Sequence, residues 1–533
     1  MIQHERCEHM TMRHLRQLGL VNQPRLAQLN ILVSGQVDEV ADVVVLLDQL
    51  GAAQAGGSIG LQLVGEDKPE AVFWKLAFPQ HGQVDSLVNA RPDLYTMVSS
   101  DQPSEEWDIH LSFSNTAQPT KPTVYGAVSG PRAAVSMTPL TPPHPVDEST
   151  AHPLAPALRV VCAAAMVERM LDEMGLRNAV PISDAWITIT CRIETTDEGE
   201  ARAKVSSSGG MPVSMTPTAD GLATLARIRL PYPLPLNPFE HLDVQTSPKE
   251  NLPELVDIGL VPWDTPPHAL DVPFTVEPTN MIMLGVGGLG SWSAPLLMEQ
   301  MSGGAFHVVD GDTSIELHNL NRQVLYNDQH IGKAKADVAG ERLKQLNTDV
   351  AIHIHPEHLL PMHVEESLED ELGDVMPMAS FDLDEGAGES ALPEAISTST
   401  LFFGCLDNMR ARTLLNEAAL HQNGVMINGG SESVHGIVER LSNDEGCMVC
   451  RYGDEAAREE EIISCTEEGA RPVASIATTT AWAGAMMAVF GLIEASLHAG
   501  IVLPRLQWHQ GSVVRSDVSS KPPWMSEPCL RHI

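Results

Sequence analysis

Residues 281–290 read MIMLGVGGLG, four apolar residues followed by a run that contains four glycines, Gly285, Gly287, Gly288 and Gly290. Such a run, between a short strand and an apolar helix, permits a tight turn and lets backbone N–H groups approach a phosphate. Asp310 ends the next apolar stretch, 20 residues after Gly290, where an acid can bond a ribose hydroxyl. The pattern predicts a β-α-β unit that binds a nucleotide.

Charged residues farther along the sequence indicate which kind of nucleotide binds. The run DGDTSIELHNLNRQ, residues 310–323, continues to IGKAK at 331–335, and it would bring Arg322 and Lys335 near the phosphates. Two cations there suit an enzyme that splits ATP, because charge builds up on the leaving pyrophosphate, whereas a nicotinamide dehydrogenase has no need of them. Asp407 follows the apolar stretch LFFG, at the sheet edge where such folds bind ligands, and it could hold Mg²⁺.

Together these motifs resemble the ubiquitin-activating-enzyme-like superfamily, which includes the HesA, MoeB and ThiF adenylyltransferases. They occur in family order and at family spacing over about residues 278–533. The resemblance implies that Asp310 binds the ribose, that Arg322 and Lys335 act on the phosphates, and that Asp407 orients Mg²⁺. It implies a nucleotide site formed by Gly285, Gly287, Gly288, Gly290, Asp310, Asp312, Asn319, Asn321, Arg322, Gln323, Lys335, Asp407 and Asn408.

The resemblance also implies an activity. Relatives use ATP to adenylate the C-terminal carboxylate of a small ubiquitin-like or sulfur-carrier protein, usually ending in Gly-Gly, and release pyrophosphate. Two alternatives stay open: adenylation of a short ribosomal peptide in natural-product synthesis, and a non-catalytic nucleotide-binding partner. The last is disfavoured because residues 278–533 retain every ATP-handling residue type.

Cysteines suggest two further features. Cys447 and Cys450 have the spacing of a zinc knuckle, and Cys529 and His532 near the end would complete a Cys₃His set for a structural zinc ion. Cys465 lies where many relatives carry a thiol, which in some forms a thioester or persulfide-linked bond with the activated carrier. The acidic residues around it disfavour a thiolate, which argues against a strong nucleophile.

The N-terminal block, residues 1–205, looks like a diverged repeat of residues 278–533, since NILVSGQVDEVADVVVLLDQLG at 30–51 again predicts a strand and a helix. Its turn has one glycine and two acids, Asp38 and Glu39, which would repel phosphate at a helix start. We therefore expect no ATP to bind there.

One segment of this block resembles an active-site element of the family. RHLRQ at 13–17 matches the family's R-x-x-R-Q, whose second arginine reaches the partner's ATP in dimeric relatives. We infer an α/β chain of two Rossmann-like, adenylation-type domains, the first degenerate and the second active, fused as a pseudo-dimer. Arg16 would enter the single active site from the first domain; further oligomerisation stays open.

Composition sets the remaining expectations. Residues 206–277 are rich in proline, which predicts a linker or an irregular packed segment between the domains. The net charge of −37 argues against nucleic acid or an anionic membrane surface as the main partner. The N-terminus shows no apolar core of a signal peptide, and the apolar stretch 474–492 predicts a buried helix rather than a membrane span, so we expect a cytoplasmic protein.

Overall fold

The structure is a computed structural model. It describes residues 13, 14, 17, 20–99, 107–113, 121–141, 152–177, 254–366, 390–432, 434–444, 446–452 and 475–498, and the backbone of strands within 186–195, 201–208, 222–229 and 508–512. The acidic stretch 367–389 and the residues Arg16, Cys465, Cys529 and His532 lie outside the described residues.

The N-terminal half forms a seven-stranded sheet and a separate three-stranded sheet. The strands are, in chain order, β1 (Asn30–Gln36), β2 (Ser58–Val64), β3 (Tyr95–Met97), β4 (Ile109–Ser112), β5 (Thr123–Ser129), β6 (Arg132–Ser136), β7 (Trp186–Thr195), β8 (Ala201–Ser208), β9 (Leu222–Arg229) and β10 (Leu255–Asp257). The large sheet has the order β3-β2-β1-β4-β5-β6-β10, and β8-β7-β9 form the small one. Strands β1 to β5 pair in parallel, whereas β6 and β10 are antiparallel to their neighbours.

The C-terminal half forms a second seven-stranded sheet. Its strands are β11 (Met281–Leu284), β12 (Ala305–Val309), β13 (Ala351–His355), β14 (Leu401–Gly404), β15 (Val425–Glu432), β16 (His435–Leu441) and β17 (Trp508–Ser512). The order is β13-β12-β11-β14-β15-β16-β17, with five parallel strands followed by two antiparallel ones. The two large sheets therefore have the same strand order and directions, and the predicted α/β, Rossmann-like fold class is confirmed.

Helices connect the strands and cover the sheets. They are α1 (Gln23–Leu26), α2 (Val37–Leu50), α3 (Val72–Ala77), α4 (Val84–Ala90), α5 (Ala155–Glu173), α6 (Gly290–Gln300), α7 (Lys335–Leu346), α8 (Pro361–Glu366), α9 (Leu392–Thr398), α10 (Met409–His421), α11 (Met448–Tyr452) and α12 (Ala477–His498). Short 3₁₀ turns lie at Ala269–Asp271, Leu317–Asn319 and Asp328–His330.

The long helices α5 and α12 pack against each other between the halves. Each also lies against its own sheet at a glycine: a Cβ on Gly126 would be 2.2 Å from Sδ of Met166, and one on Gly429 would be 2.2 Å from Sδ of Met487. Helix α12 is long and apolar enough to cross a membrane, but 94% of its most apolar window is buried inside the protein. The prediction of a buried helix at 474–492 therefore agrees with the packing of α12.

One continuous apolar core joins the halves. Phe73 of α3 packs on Trp292 of α6, with ring centroids 4.6 Å apart. Such an aromatic pair adds about 0.5–1.5 kcal/mol to the burial of its surface. The N-terminal half therefore packs against α6, the helix that follows the glycine loop of the C-terminal half.

Part of the proline-rich stretch 206–277 belongs to the first sheet. Strand β10 pairs with β6, and Val256 within it is buried. The buried Arg132 of β6 holds the following residues, since it donates to the carbonyl of Pro262 at 2.6 Å and forms an ion pair with Asp271 at 2.9 Å. Residues 254–277 are therefore a packed segment rather than a free linker; the domain boundaries at 205 and 277 stay predictions.

Candidate functional site

The glycine loop occupies residues 285–289, between the end of β11 and the start of α6. Gly285 has a φ of +85°, and a Cβ there would lie 2.6 Å from the carbonyl oxygen of Cys405. A Cβ on Gly290 would lie 2.1 Å from the carbonyl oxygen of Gly285. Only glycine fits these two positions, because the turn itself fills the space.

Gly287 and Gly288 have a different role. The nearest atom to a Cβ on Gly287 would be Nε2 of Gln323, at 3.5 Å, and a Cβ on Gly288 would lie 3.2 Å from Thr480 and 3.9 Å from Nε of Arg322. These two glycines therefore leave the backbone open toward polar side chains. An open backbone at the N-terminal end of α6 is the arrangement that binds phosphate.

Asp310 shapes the loop from the end of β12. Its carboxylate accepts the N–H of Val286 at 2.8 Å and that of Asp312 at 2.9 Å. Burial raises the pKa of Asp310, and the positive charge of Lys335 opposes that shift. A carboxylate has about four acceptor positions, so Asp310 can still accept a ribose hydroxyl.

Two cations flank the loop. Lys335, the first residue of α7, is largely buried and forms an ion pair with Asp312. Nη1 of Arg322 donates to the carbonyl of His318 at 2.8 Å and to Oδ1 of Asn321 at 2.9 Å. The structure thus places Arg322 beside the glycine loop and Lys335 near Asp310, and their action on the phosphates stays a prediction.

Asn319 and Gln323 are both buried on the same segment. Oδ1 of Asn319 accepts the N–H of Glu316 at 3.0 Å, so this side chain caps the 3₁₀ turn. Oε1 of Gln323 is buried and, within the described part of the chain, accepts no hydrogen bond. An unsatisfied buried acceptor costs about 1–3 kcal/mol, which a donor on a bound ligand would recover.

Asp407 lies just past β14, at the same edge as Gly285, and its side chain is exposed. Asn408 is the N-cap of α10, since its Oδ1 accepts the N–H of Ala411 at 2.8 Å. Its Nδ2 lies 3.5 Å from Oδ1 of Asp407. Asn408 therefore has a structural role in addition to the nucleotide contact that the resemblance implies.

The N-terminal segment reaches this site from the other half. Nδ2 of Asn321 donates to Oε1 of Gln17 at 3.3 Å, and Arg13 forms an ion pair with Asp328 at 3.2 Å. Both contacts join the predicted R-x-x-R-Q segment to residues 321–328. Arg16, between these two anchors in sequence, lies outside the described residues.

The first sheet has a carboxylate where the second has its loop. Strand β1 runs directly into α2, so no loop separates them, and the carboxylate of Glu39 accepts the N–H of Gln36 at 2.8 Å. Burial raises the pKa of Glu39 to about 7. The N-terminus of α2 is therefore capped by the chain's own carboxylate.

Sequence reasoning missed a polar network behind Asp407. The guanidinium of Arg412 donates to the carbonyl of Leu406 and, at 3.2 Å, to Oδ1 of Asn428. Nδ2 of Asn428 donates to Glu439 at 2.7 Å, and the hydroxyl of Tyr452 donates to the same oxygen at 2.8 Å. Burial raises the pKa of Glu439, and the hydrogen bond from Asn428 opposes it. Arg412 lies five residues after Asp407 and four after the N-cap Asn408, just over one helical turn, and this spacing was the available signal.

The paired cysteines Cys447 and Cys450 are buried, with Sγ atoms 3.7 Å apart. Two thiolates on one tetrahedral zinc, each at about 2.3 Å from the metal, would be about 3.8 Å apart, so this pair fits two corners of a zinc site. In the described ranges, which omit Cys529 and His532, no group of three or more His, Cys, Asp or Glu residues is placed to hold a metal.

Residues 275–498 match the model of the ThiF family. The C-terminal half of the chain is therefore similar to the ThiF family. It is similar to the adenylyltransferase and sulfurtransferase uba4 of Aspergillus niger, 30% identical over 164 residues, which cover 31% of this chain and 28% of that protein. It is also similar to the sulfur carrier protein ThiS adenylyltransferase of Escherichia coli, 26% identical over 188 residues, which cover 35% of this chain and 63% of that protein.

Two solved structures are similar over part of the chain. PaaA has a TM-score of 0.32 and 20% identity, over 45% of this chain and 62% of its own. E. coli MccB with ATP has a TM-score of 0.34 and 18% identity, over 48% of this chain and 66% of its own. In these four comparisons the chain spans between 28% and 66% of the relative's length.

Proposed function

We propose that the chain adenylates the C-terminal carboxylate of a small carrier protein with ATP. The observation that carries the proposal is the meeting of an open glycine loop with Arg322 and Lys335 at one sheet edge. A carboxylate oxygen of the carrier would attack the α-phosphorus while the bond to the β-phosphate oxygen breaks. The products are an acyl-adenylate and pyrophosphate.

The residues divide this work by charge. Backbone N–H groups of the loop and the N-terminal end of α6 would hold phosphate oxygens, and Gln323 would bind the ligand through its unsatisfied oxygen. Arg322 and Lys335 would offset the charge that builds up on the leaving pyrophosphate. Mg²⁺ bound with ATP would be held by the exposed carboxylate of Asp407, where it would neutralise phosphate charge.

We infer that the first half is an inactive repeat that completes this single site. At the start of its helix α2 the carboxylate of Glu39 accepts the N–H of Gln36, and this carboxylate would repel phosphate. Its N-terminal segment contacts residues 321–328 through Gln17 and Arg13. Arg16 would then reach the γ-phosphate, and Arg16→Ala should lose most adenylation without loss of folding. Unchanged activity in Arg16→Ala would rule out this arrangement.

A folded sulfur-carrier or ubiquitin-like protein ending in Gly-Gly is the proposed substrate. The names of the relatives support it, since one is a sulfurtransferase as well as an adenylyltransferase and the other acts on the sulfur carrier ThiS. Cys465 would act only after adenylation, when its thiolate attacks the acyl-adenylate and releases AMP. Cys465→Ala should therefore leave pyrophosphate exchange intact and remove a thiol-sensitive conjugate.

ATP–pyrophosphate exchange tests the proposal. The chain is assayed with candidate carriers that end in a free Gly-Gly carboxylate, with the same carriers ending in an amide, and with short precursor peptides. Exchange should need the free carboxylate of a carrier and should vanish in Asp407→Ala while the fold stays intact. Exchange with the precursor peptides and not with the carriers would indicate that the substrate is a short peptide rather than a folded carrier protein. Near-normal exchange in Asp407→Ala would contradict the role proposed for that residue. ATP binding with no exchange for any of the candidate carriers and peptides would indicate a non-catalytic protein.

A further inference from the structure

We propose that Arg412 is a positioning residue that fixes the Asp407 loop, an inference that rests on the proposed function. Its guanidinium donates to the carbonyl of Leu406, the residue just before Asp407. On the other side, the side chain of Asn408 is bound to the N–H of Ala411 at the start of α10. Asp407 thus lies between two fixed points, with its own carboxylate exposed at the sheet edge.

Arg412 is itself held in place by the second sheet. Nη1 donates to Oδ1 of Asn428 at 3.2 Å, and the guanidinium lies beside Gly430 of β15, 3.5 Å from the place of a Cβ there, which is van der Waals distance. The carboxylates of Glu439 and Asp407 both act electrostatically on Arg412. A hydrogen bond from a charged donor is about twice as strong as a neutral one, which suits a group that must fix a loop.

The network continues to the helix that carries the paired cysteines. Asn428 and Tyr452 share one oxygen of Glu439, and Tyr452 is the last residue of α11. The N–H of Met448, at the start of α11, donates to Oδ1 of Asn416 on α10 at 2.9 Å. Helix α11 is therefore linked to Arg412 through Glu439 and Asn428, and it is bonded directly to α10, the helix that follows Asp407. The segment that carries the paired cysteines thus stabilises the position of the Asp407 loop.

The test uses Arg412→Lys and Arg412→Met, with Arg410→Met as a matched control on the same helix. Displacing a group that holds a reactive geometry by about 1 Å costs up to about 100-fold, so Arg412→Met should lower exchange at least about tenfold and raise the Mg²⁺ concentration for half-maximal rate. Arg412→Lys should recover part of the loss, and Arg410→Met should behave as the native chain. Without ATP, hydrogen–deuterium exchange over residues 404–409 should rise in Arg412→Met only.

A double-mutant cycle separates positioning from general damage. In an Asp407→Glu background, which keeps a carboxylate and so a measurable exchange, Arg412→Met should add less than about twofold, because both changes act through one group. An undiminished loss in that background, or an unchanged Mg²⁺ dependence, would overturn the inference. Were Arg412→Met not to fold, Tyr452→Phe should give a smaller loss with the same Mg²⁺ shift. Absence of exchange in the native chain would instead count against the proposed function.

Discussion

Gln17 accepts a hydrogen bond from Nδ2 of Asn321 at 3.3 Å, across 304 positions of sequence, and both residues are fully buried. Oδ1 of the same Asn321 accepts from Arg322 at 2.9 Å. Gln17 in turn donates to the carbonyl of Leu50 at 2.9 Å, at the end of α2. The arginine beside the glycine loop is therefore held, through one asparagine, by the half that has no glycine loop of its own.

This chain of contacts predicts an effect of Gln17 on catalysis. Gln17→Leu should lower pyrophosphate exchange about three- to tenfold, since one lost hydrogen bond of 0.5–1.5 kcal/mol would loosen Arg322. Gln23→Leu is the matched control, because Gln23 bonds Gln17 and Leu50 and, among the described residues, makes no hydrogen bond to the C-terminal half. Equal losses in the two variants would show that only the packing of the N-terminal segment matters.

Removing either cation should slow the chemical step. Lys335→Ala and Arg322→Ala should each lower exchange at least about tenfold, because each removes a charge near the phosphates. Lys333 is an exposed lysine two residues before Lys335, so Lys333→Ala is a control of equal charge change. The variants are compared by their initial exchange rates at saturating ATP. A loss in Lys333→Ala as large as in Lys335→Ala would show that the effect comes from the change in net charge and not from the position of Lys335.

The paired cysteines predict about one zinc ion per chain. Elemental analysis of metal-replete protein should find it, and Cys447→Ala and Cys450→Ala should each release it. If His532 is a ligand, deleting the last two residues should weaken zinc binding more than changing Arg531 does. Zinc that stays fully bound after the deletion would place the fourth ligand elsewhere.

Buried His110 predicts a loss of stability in acid. Its Nε2 lies 2.7 Å from Oγ of Ser34, and burial lowers the pKa of His110 to about 4. The pKa of histidine in an unfolded chain is about 6.5, so below that pH the unfolded state binds a proton at His110 that the folded state does not bind. His110 should therefore lower the free energy of unfolding by about 2–3 kcal/mol between about pH 6.5 and pH 4.5.

His110→Gln keeps a polar side chain at that position and removes the titration. Urea unfolding at pH 7 and pH 4.5 should show a shallower acid loss in the variant than in the native chain. Parallel losses in the two proteins would mean that the pKa of His110 is the same in the folded and unfolded states.

The glycine loop and its charged partners could be predicted because their residue types follow from local rules. Gly285 needs a positive φ and Gly290 needs the space beside the carbonyl of Gly285, and both demands show in sequence as glycine. The strand and helix periods around them placed Asp310 and Asp407 at one edge. The structure places both residues past strand ends at the same edge of the second large sheet.

Contacts between distant elements could not be predicted. Asn428 and Glu439 lie in strands where buried polar residues have no period to mark them, and their partners come from two different helices. Strand β10 lies in a proline-rich stretch that argues against a strand, and it forms because the edge of β6 accepts a short antiparallel partner. That the acids at 38 and 39 disfavour phosphate stays a prediction, and the sequence did not predict the hydrogen bond from the N–H of Gln36 to Glu39.

The stoichiometry of ATP binding tests the central claim most directly. Calorimetric titration of the whole chain with ATP and Mg²⁺ should give one site per chain, since of the two large sheets that the structure describes the second has the open glycine loop. Lys335→Ala should weaken that site, and Glu39→Gln should leave it unchanged. Two sites per chain, or one site that Lys335→Ala does not affect, would contradict the account.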